Sequence, residues 1–423
     1  MQRTFSLNET AEILSVNKET LRRWDNAGKL KSIRNPMNNY REYRQDDLAI
    51  FENAKLHFNT ITDRYESPKK LYKSIELFAG AGGLALGLEK AGIEHALLNE
   101  IDKYAAQTLR KNRPAWNVVE GDISKIDFTS YKDKVDLLTG GFPCQAFSYA
   151  GKRLGFEDTR GTLFFEFARA LKETNAPVFL IENVKGLLSH DNGKTLQTMI
   201  EVLTQELDYH VFEPRVLKAI YYKVPQKRER LIIVGIKKEY STKINYTYPE
   251  PYKKVYTLKD ALKKGDLYDT DVPISFGQSY PKRKKEILEM IKPGGYWRDL
   301  PVDLQKEYMQ KSFYLGGGKT GMARRISWDE PSLTLTCSPA QKQTERCHPE
   351  ETRPFQIREY ARIQTFPDDW EFEGSSSHQY KQIGNAVPVN LAEEIGHTLV
   401  KLLNDMHMIK SMPIKLHRNS LYR

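Results

Sequence analysis

Between residues 73 and 184 the chain repeats one pattern: a short apolar run, a residue or two of glycine or carboxylate, then a longer stretch with apolar residues at helical spacing. Short apolar runs separated by helical patterns read as buried strands with crossover helices, so this stretch predicts an α/β fold built on a parallel sheet. The runs are Ser74–Phe78, Ala96–Asn99, Trp116–Val119, Asp136–Thr139 and Pro177–Ile181. Open sheets of this kind take ligands in the crevice beyond the carboxyl ends of their strands. Each run here ends on a group suited to that task.

The first run is followed by Ala79-Gly80-Ala81-Gly82-Gly83 and a helix, a turn that brings backbone N–H groups and a helix N-terminus against a cofactor. The second ends at Glu100, about twenty residues past the glycines, where dinucleotide folds place an acidic side chain on ribose hydroxyls. The third runs into Gly121-Asp122, and Asp122 can accept from an adenine amino group. Taken singly, Glu100 and Asp122 read as solvated surface carboxylates. The fourth leads into Gly140-Gly141-Phe142-Pro143-Cys144-Gln145-Ala146-Phe147-Ser148, which presents a thiol at a strand end, whereas alone Cys144 reads equally well as a small hydrophobe. A polar loop, Ser148 to Gly161, follows as a candidate lid before a helix over Thr162 to Leu171. The fifth ends at Glu182-Asn183-Val184, and a glutamate after an all-apolar strand is costly to bury without purpose. Two further strands, Val211 to Leu217 and Leu231 to Ile236, flank Pro225-Gln226-Lys227-Arg228-Glu229-Arg230, where Arg228 and Arg230 alternate onto one face.

Ahead of this domain, residues 6 to 14 and 18 to 27 form two short helices around Ser15-Val16-Asn17, and residues 33 to 43 alternate about an Asn-Asn turn. That is the pattern of a helix-turn-helix with a hairpin wing, carrying Arg22, Arg23, Arg34 and Arg41; the plainer reading is a small helical packing module. Residues 239–352 are irregular, with the basic run Lys282-Arg283-Lys284-Lys285 and the Gly316-Gly317-Gly318 turn, and read as a loop-rich insert. Helical patterning returns at Ile357 to Gln364, and Gln382 to Pro388 leads into a helix over Asn390 to Leu403. The formal net charge of +10 favours a polyanionic partner, nucleic acid before membrane. Three cysteines make neither a disulfide framework nor a zinc site, so no metal is expected, and free thiols suit a reducing cytosol.

The order Phe-x-Gly-x-Gly, strand-end Glu, Gly-Asp, Pro-Cys-Gln, Glu-Asn-Val, Gln-x-Arg-x-Arg, variable region, Arg-Glu-x-Ala-Arg-x-Gln-x-Phe-Pro and Gly-Asn-Ala-Val-Pro resembles that of the DNA (cytosine-5) methyltransferases from residue 73 to about 405. The resemblance implies a methyltransferase Rossmann-like sheet over residues 73–238 and 353–408 and a target-recognition domain over 239–352. It implies S-adenosyl-L-methionine as cofactor, held by Phe78, Gly80, Gly82, Gly83, Glu100, Ile101, Asp122, Ile123, Pro143, Asn385 and Ala386. It makes Cys144 the nucleophile, Glu182 the partner of the ring nitrogen, and Arg230 that of the carbonyl oxygen, with Arg228 nearby. Gln145 and Ser148 would meet DNA. The usual Asp before Leu-Phe is Glu76 here. Residues 1–68 resemble the winged helix of MerR-type regulators, in which Arg22, Arg23 and Arg41 would contact DNA. The implied protein is a bacterial, cytoplasmic enzyme, monomeric on double-stranded DNA, with no membrane role, and the genetic partner of a restriction endonuclease. RNA cytosine methylation and an S-adenosylmethionine-sensing regulator are the rival readings.

Overall fold

A computed structural model of the chain describes residues 4–14, 16–35, 40–48, 50–51, 54, 65–143 and 163–411. The chain falls into two compact units, Met1–Arg64 with Tyr248–Val255, and Tyr65–Thr247 with Tyr256–Arg423.

In the first unit the helices Leu7–Ile13 and Lys18–Asn26 lie against a three-stranded antiparallel sheet of Thr4–Ser6 (β1), Ile33–Arg34 (β2) and Arg41–Arg44 (β3), in the order β1-β3-β2. Asn17 stops the chain between the helices by accepting the Thr20 N–H at 2.7 Å on its side-chain oxygen, an N-cap. Phe5, Leu14, Leu21, Leu30, Tyr43 and Leu48 close the core. The wing pairs with Arg34 opposite Arg41, while β1, too short to show a period, is a strand the sequence pattern does not reveal. Tyr248, Pro249 and Pro251 of the downstream segment are buried.

In the second unit Tyr72–Leu77 (β4), Ile93–Glu100 (β5), Val118–Glu120 (β6), Leu137–Gly140 (β7) and Val178–Val184 (β8) are parallel, in the spatial order β8-β7-β4-β5-β6. The sheet is not parallel throughout. Tyr209–Val211 (β9), Arg215–Lys218 (β10), Gln226–Lys227 (β11) and Glu229–Lys237 (β12) follow, and β12 runs antiparallel to both β8 and β10. The link from β10 to β12 is too short for a crossover helix, which leaves antiparallel pairing as the available geometry. The single strand expected over 211–217 is split in two. Val211 faces Gly235 and Arg215 faces Ile232, so three residues on one strand oppose two on the other. Pro214, which has no N–H to donate, sits in this bulge.

One face of the sheet is covered by the helices Leu163–Thr174 and Lys194–Glu201 through Phe164, Phe167, Leu171 and Met199. The other core gathers Ala85 and Leu86 of the helix Gly83–Lys90 with Tyr360, Ile363, Tyr380, Ile383 and Val389 from the helices Ile357–Ile363, Ser376–Asn385 and Val389–Ser411. The helix Ser376–Asn385 occupies part of what the sequence offers only as a lead-in to the last helix. The insert has a smaller core of its own around Trp297, Tyr308, Met309 and Met322. Its basic run opens the helix Lys282–Glu289, where Arg283 pairs with Glu307 at 2.7 Å and Lys284 turns inward to the buried Glu345.

Candidate active site

Strands β7, β4, β5 and β6 end side by side, which gathers the cofactor candidates on one shelf. After β4 the chain turns at Phe78 (φ 60°) and Gly80 (φ 55°), both left-handed. A Cβ at Gly80 would meet no atom within 4 Å, so the space above it is open. Gly82 and Gly83 differ. A Cβ at Gly83 would stand 2.2 Å from the Val387 carbonyl oxygen, and one at Gly82 2.6 Å from Leu109 Cδ2. These two glycines serve packing inside the protein, and Gly80 is the one that faces outward space.

Glu100, at the end of β5, accepts the Gly80 N–H and the Asp102 N–H, each at 2.7 Å, one on each carboxylate oxygen. Burial pushes its carboxyl upward, and those two N–H groups pull the other way. Asp122, beyond β6, is exposed and accepts the Ser124 N–H at 3.0 Å, which holds its carboxyl below the usual range. Ile101 is 69% exposed and Pro143 is exposed, whereas Ile123 and Ala386 are packed into the two cores. Asn385 stands exposed and accepts from the Cys337 thiol at 3.1 Å. Lys381 of the same helix pairs with Asp102 at 2.9 Å, which ties that helix to the end of β5. A shelf with an open glycine turn, two carboxylates on neighbouring strand ends and an exposed isoleucine complements a cationic donor bearing ribose hydroxyls and an aromatic base. The residues present fit S-adenosylmethionine.

On the other side of β7, the carboxylate of Glu182 lies over the glycine turn. A Cβ at Gly141 would come within 2.9 Å of Glu182 Oε2, so a larger residue there would have to push that carboxylate aside. Asn183 donates its side-chain N–H to the Phe142 carbonyl at 2.9 Å and fixes the turn against β8. The sequence marks Gly141 and Asn183 only as parts of motifs; their work depends on β7 and β8 being neighbours. Arg230 Nε stands 2.5 Å from Glu182 Oε1, with 10% and 11% of the two side chains exposed. The approach is an ion pair without hydrogen-bond alignment, for that oxygen has no aligned donor. Arg228 points elsewhere. It is buried and donates to the carbonyls of Leu335 (3.2 Å), Gly384 (3.0 Å) and Asn385 (3.4 Å). Burial, with Arg230 beside it, pushes its guanidinium down to about 9, still cationic at neutral pH.

Behind Arg228, Gln226 donates to the Gln364 side chain at 2.9 Å and accepts from the Leu335 N–H at 3.0 Å, while Gln364 donates to Ile383 O at 2.7 Å. This buried network joins the arginine motif, the insert at Leu335 and the C-terminal end of the helix Ser376–Asn385. A cleft of about 530 Å³ opens beside Arg230, with Lys185, Lys218 and Lys227 among its lining residues. Cys144, Gln145 and Ser148, and the loop Ser148 to Gly161, lie outside the described residues. In the first unit Arg22 and Arg23 are exposed, while Arg41 commits its Nε to Asp25 at 2.8 Å.

The C-5 cytosine-specific DNA methylase family matches residues 72–401. The chain belongs to that family. This methylase is 67% identical to the type II methyltransferase M.Eco47II of Escherichia coli over 96% of its own length and 98% of the relative's. It is 60% identical to M.PspPI of Psychrobacter sp. (strain TA137), over 95% and 96%, and 50% identical to M.Sau96I of Staphylococcus aureus, over 86% of each chain. Its fold is similar to that of a prophage-encoded DNA modification methyltransferase of Escherichia coli, with a TM-score of 0.61 at 24% identity over 79% of this chain and 99% of the other. The MerR helix-turn-helix regulatory family matches residues 5–56 of the methylase. No helix among the described residues is long and apolar enough to cross a membrane.

Proposed function

We propose that the methylase transfers a methyl group to C5 of a cytosine extruded from duplex DNA, through a covalent bond between Cys144 and C6. The observation that carries this reading is the Glu182–Arg230 pair at the ends of adjacent strands, over the glycine turn that leads into Pro143-Cys144. Cytosine C5 is a weak nucleophile. Addition of the Cys144 thiolate at C6 pushes electrons toward C5 and N3, and Glu182, sharing a proton with N3, neutralises the negative charge that develops there. Arg230 orients the Glu182 carboxylate and meets the carbonyl oxygen of the base. Arg228 holds the floor of the site by tying three backbone carbonyls together. S-adenosylmethionine, held by the Gly80 turn, Glu100, Ile101 and Asp122, supplies the methyl group. Once C5 carries it, a water molecule takes the C5 proton, the C–H electron pair re-forms the C5–C6 double bond, and Cys144 leaves C6 as a thiolate, restoring the aromatic ring. A stacked base is out of reach, so it must be flipped, at a cost of a few kcal/mol offset by contacts elsewhere on the DNA.

The residue assignments rest on chemistry and on the family pattern, and the proposal extends to a setting that the likeness to type II relatives supports: a monomer on DNA that protects bacterial DNA from a partner nuclease. The helix-turn-helix unit, with Arg22 and Arg23 exposed, suits a second DNA target such as the promoter of the same operon. The deciding experiment incubates the protein with labelled S-adenosylmethionine and either duplex DNA or tRNA and maps the labelled position. Labelled 5-methylcytosine in duplex DNA is expected; label in tRNA alone overturns the reading. With 5-fluorocytosine DNA the wild type is trapped, and a trapped complex with Cys144→Ser removes that thiol from the mechanism.

A further inference from the structure

One buried carboxyl beside the site has no part in the reaction as described. Glu76 sits on β4, one row beneath the carboxyl ends of the strands, and the register fixes its place. It faces Leu98 on β5 and Thr139 on β7, and Thr139 faces Leu180 on β8. Two residues further along those neighbouring strands stand Glu100, Gly141 and Glu182. Residues two apart on a strand share a face, so Glu76 lies on the same side of the sheet as both glutamates and on a strand between theirs. Glu100 belongs to the cofactor shelf and Glu182 to the base pocket, which puts Glu76 beneath the junction of the two.

The three carboxyls are not equally settled. Glu182 has Arg230 at 2.5 Å, and Glu100 takes an N–H on each of its oxygens. Glu76 is 1% exposed, and no lysine, arginine or histidine pairs with it among the described residues. It accepts from the Ala85 N–H in the first turn of the helix Gly83–Lys90, while its Oε2, like the neighbouring Thr139 Oγ1, has no aligned partner. His95 of β5 holds the Ala85 carbonyl through Nε2 at 2.9 Å, and burial pushes its imidazole down, so it brings no positive charge at neutral pH. The charges that face Glu76, on Glu182 and Glu100, repel a further negative one. A buried carboxylate without a counter-ion is costly, so the acid keeps its proton.

We propose that Glu76 is a specificity-determining residue for the methyl donor: an uncharged acid beneath the two pockets that sets how strongly the site prefers cationic S-adenosylmethionine over its demethylated product, S-adenosylhomocysteine. The inference rests on the reading that the shelf holds this donor. For the methyl to reach C5, the donor's sulfur must come between shelf and base, and those two meet above Glu76. A positive sulfur there favours the ionised form of Glu76, whereas the product has lost that charge with the methyl. The effect is reciprocal, so ionisation of Glu76 must strengthen donor binding relative to product binding by the same factor. Glu182 and Glu100 respond less, because Arg230 and backbone N–H groups already meet their charges. While Glu76 holds its proton, the donor is spared an attraction that methyl transfer would abolish and that would otherwise add to the barrier.

The test measures affinity for S-adenosylmethionine and for S-adenosylhomocysteine by calorimetry against pH, in full-length wild type, Glu76→Gln and Glu76→Asp. The two ligands carry the same amino and carboxyl groups, so the ratio of their affinities isolates the charge on sulfur. In wild type the preference for the donor should rise with pH, by about tenfold once Glu76 has ionised in both complexes, the factor for a linked change of about one pKa unit. Glu76→Gln should hold the ratio near its acid value. Glu76→Asp, with its carboxyl one methylene back, should keep the rise and move its midpoint. Donor binding should also release more protons than product binding in wild type and in Glu76→Asp, read from the dependence of the binding heat on the buffer, and nearly equal numbers in Glu76→Gln. A ratio that does not change with pH in wild type overturns the inference, and so does the same rise in Glu76→Gln. Should Glu76→Gln not fold, an unchanged midpoint in Glu76→Asp overturns it. If wild type binds neither ligand, the reading of the shelf fails, an outcome distinct from failure of Glu76 alone.

Discussion

Glu182 and Arg230 are diagonal neighbours on adjacent antiparallel strands, Glu182 facing Ile232 and Arg230 facing Val184, with Arg230 Nε 2.5 Å from Glu182 Oε1. Residues two apart on a strand share a face, so the register itself delivers the carboxylate and the guanidinium to one spot. Glu182→Gln keeps the shape and removes the charge. It should slow methyl transfer by about 10²-fold or more, the scale of a lost acid–base group, while S-adenosylmethionine affinity is unchanged. Single-turnover methylation with the cofactor in excess measures this, and a rate within a factor of about three of wild type would count against Glu182.

Gly140 and Gly141 separate stability from chemistry. A Cβ at Gly140 would press to 2.9 Å from the buried Phe167 ring, and one at Gly141 to 2.9 Å from Glu182 Oε2. Gly140→Ala should therefore destabilise the fold by about 1–3 kcal/mol, as overpacking does. Gly141→Ala should leave urea unfolding closer to wild type and depress turnover instead, because the group that has to move is the carboxylate. The reverse assignment of the two losses would refute this.

Arg228 and Arg230 are two residues apart but should fail differently. Arg228→Met leaves the carbonyls of Leu335, Gly384 and Asn385 without their donor, at a cost on the order of 1–3 kcal/mol for each group left unsatisfied. A large loss of stability is expected in urea unfolding. Arg230→Met strands one carbonyl, that of Glu229, and the Glu182 carboxylate, so its loss of stability should come with a loss of turnover.

Much of this site is legible in the chain, and the parts that are not share a cause. Glu182 announces itself because a glutamate after an all-apolar strand needs a reason to be there, whereas Arg228 and Arg230, alone, read as a solvated turn and are picked out by the motif they share. What distinguishes Arg228 from Arg230 is invisible, since it depends on residues more than a hundred positions away, Leu335 and Gly384, closing over one and not the other. The glycines are similar: Gly80, Gly82 and Gly83 read alike, yet only the fold brings Val387 and Leu109 against two of them. The antiparallel edge and the bulge at Pro214 also escape a reading based on period alone, because strand direction is set by the length of a connection and by partners, not by the run of apolar residues.

Glu76 gives a pH prediction. It lies in β4 between Leu98 and Thr139, wholly buried, and burial, with repulsion from Glu182 and Glu100, raises its carboxyl well above the ordinary 4.5. A folded-state value that is raised means the proton is bound more tightly in the fold. The resulting stability is full below 4.5 and lost as pH rises through the folded value. Glu76→Gln stays neutral at every pH and should flatten that decline. Urea midpoints measured from pH 4.5 upward should fall more steeply for wild type than for Glu76→Gln; parallel slopes would show that Glu76 does not hold the proton.

The polypeptide crosses between its two units after Arg64, after Thr247 and after Val255. A gene segment ending at codon 64 consequently does not encode a whole unit, for Tyr248, Pro249 and Pro251, all buried in the intact chain, belong with it. The helix-turn-helix unit is thus discontinuous in the chain: it takes in a short tract from the middle of the methylase as well as the residues at the start.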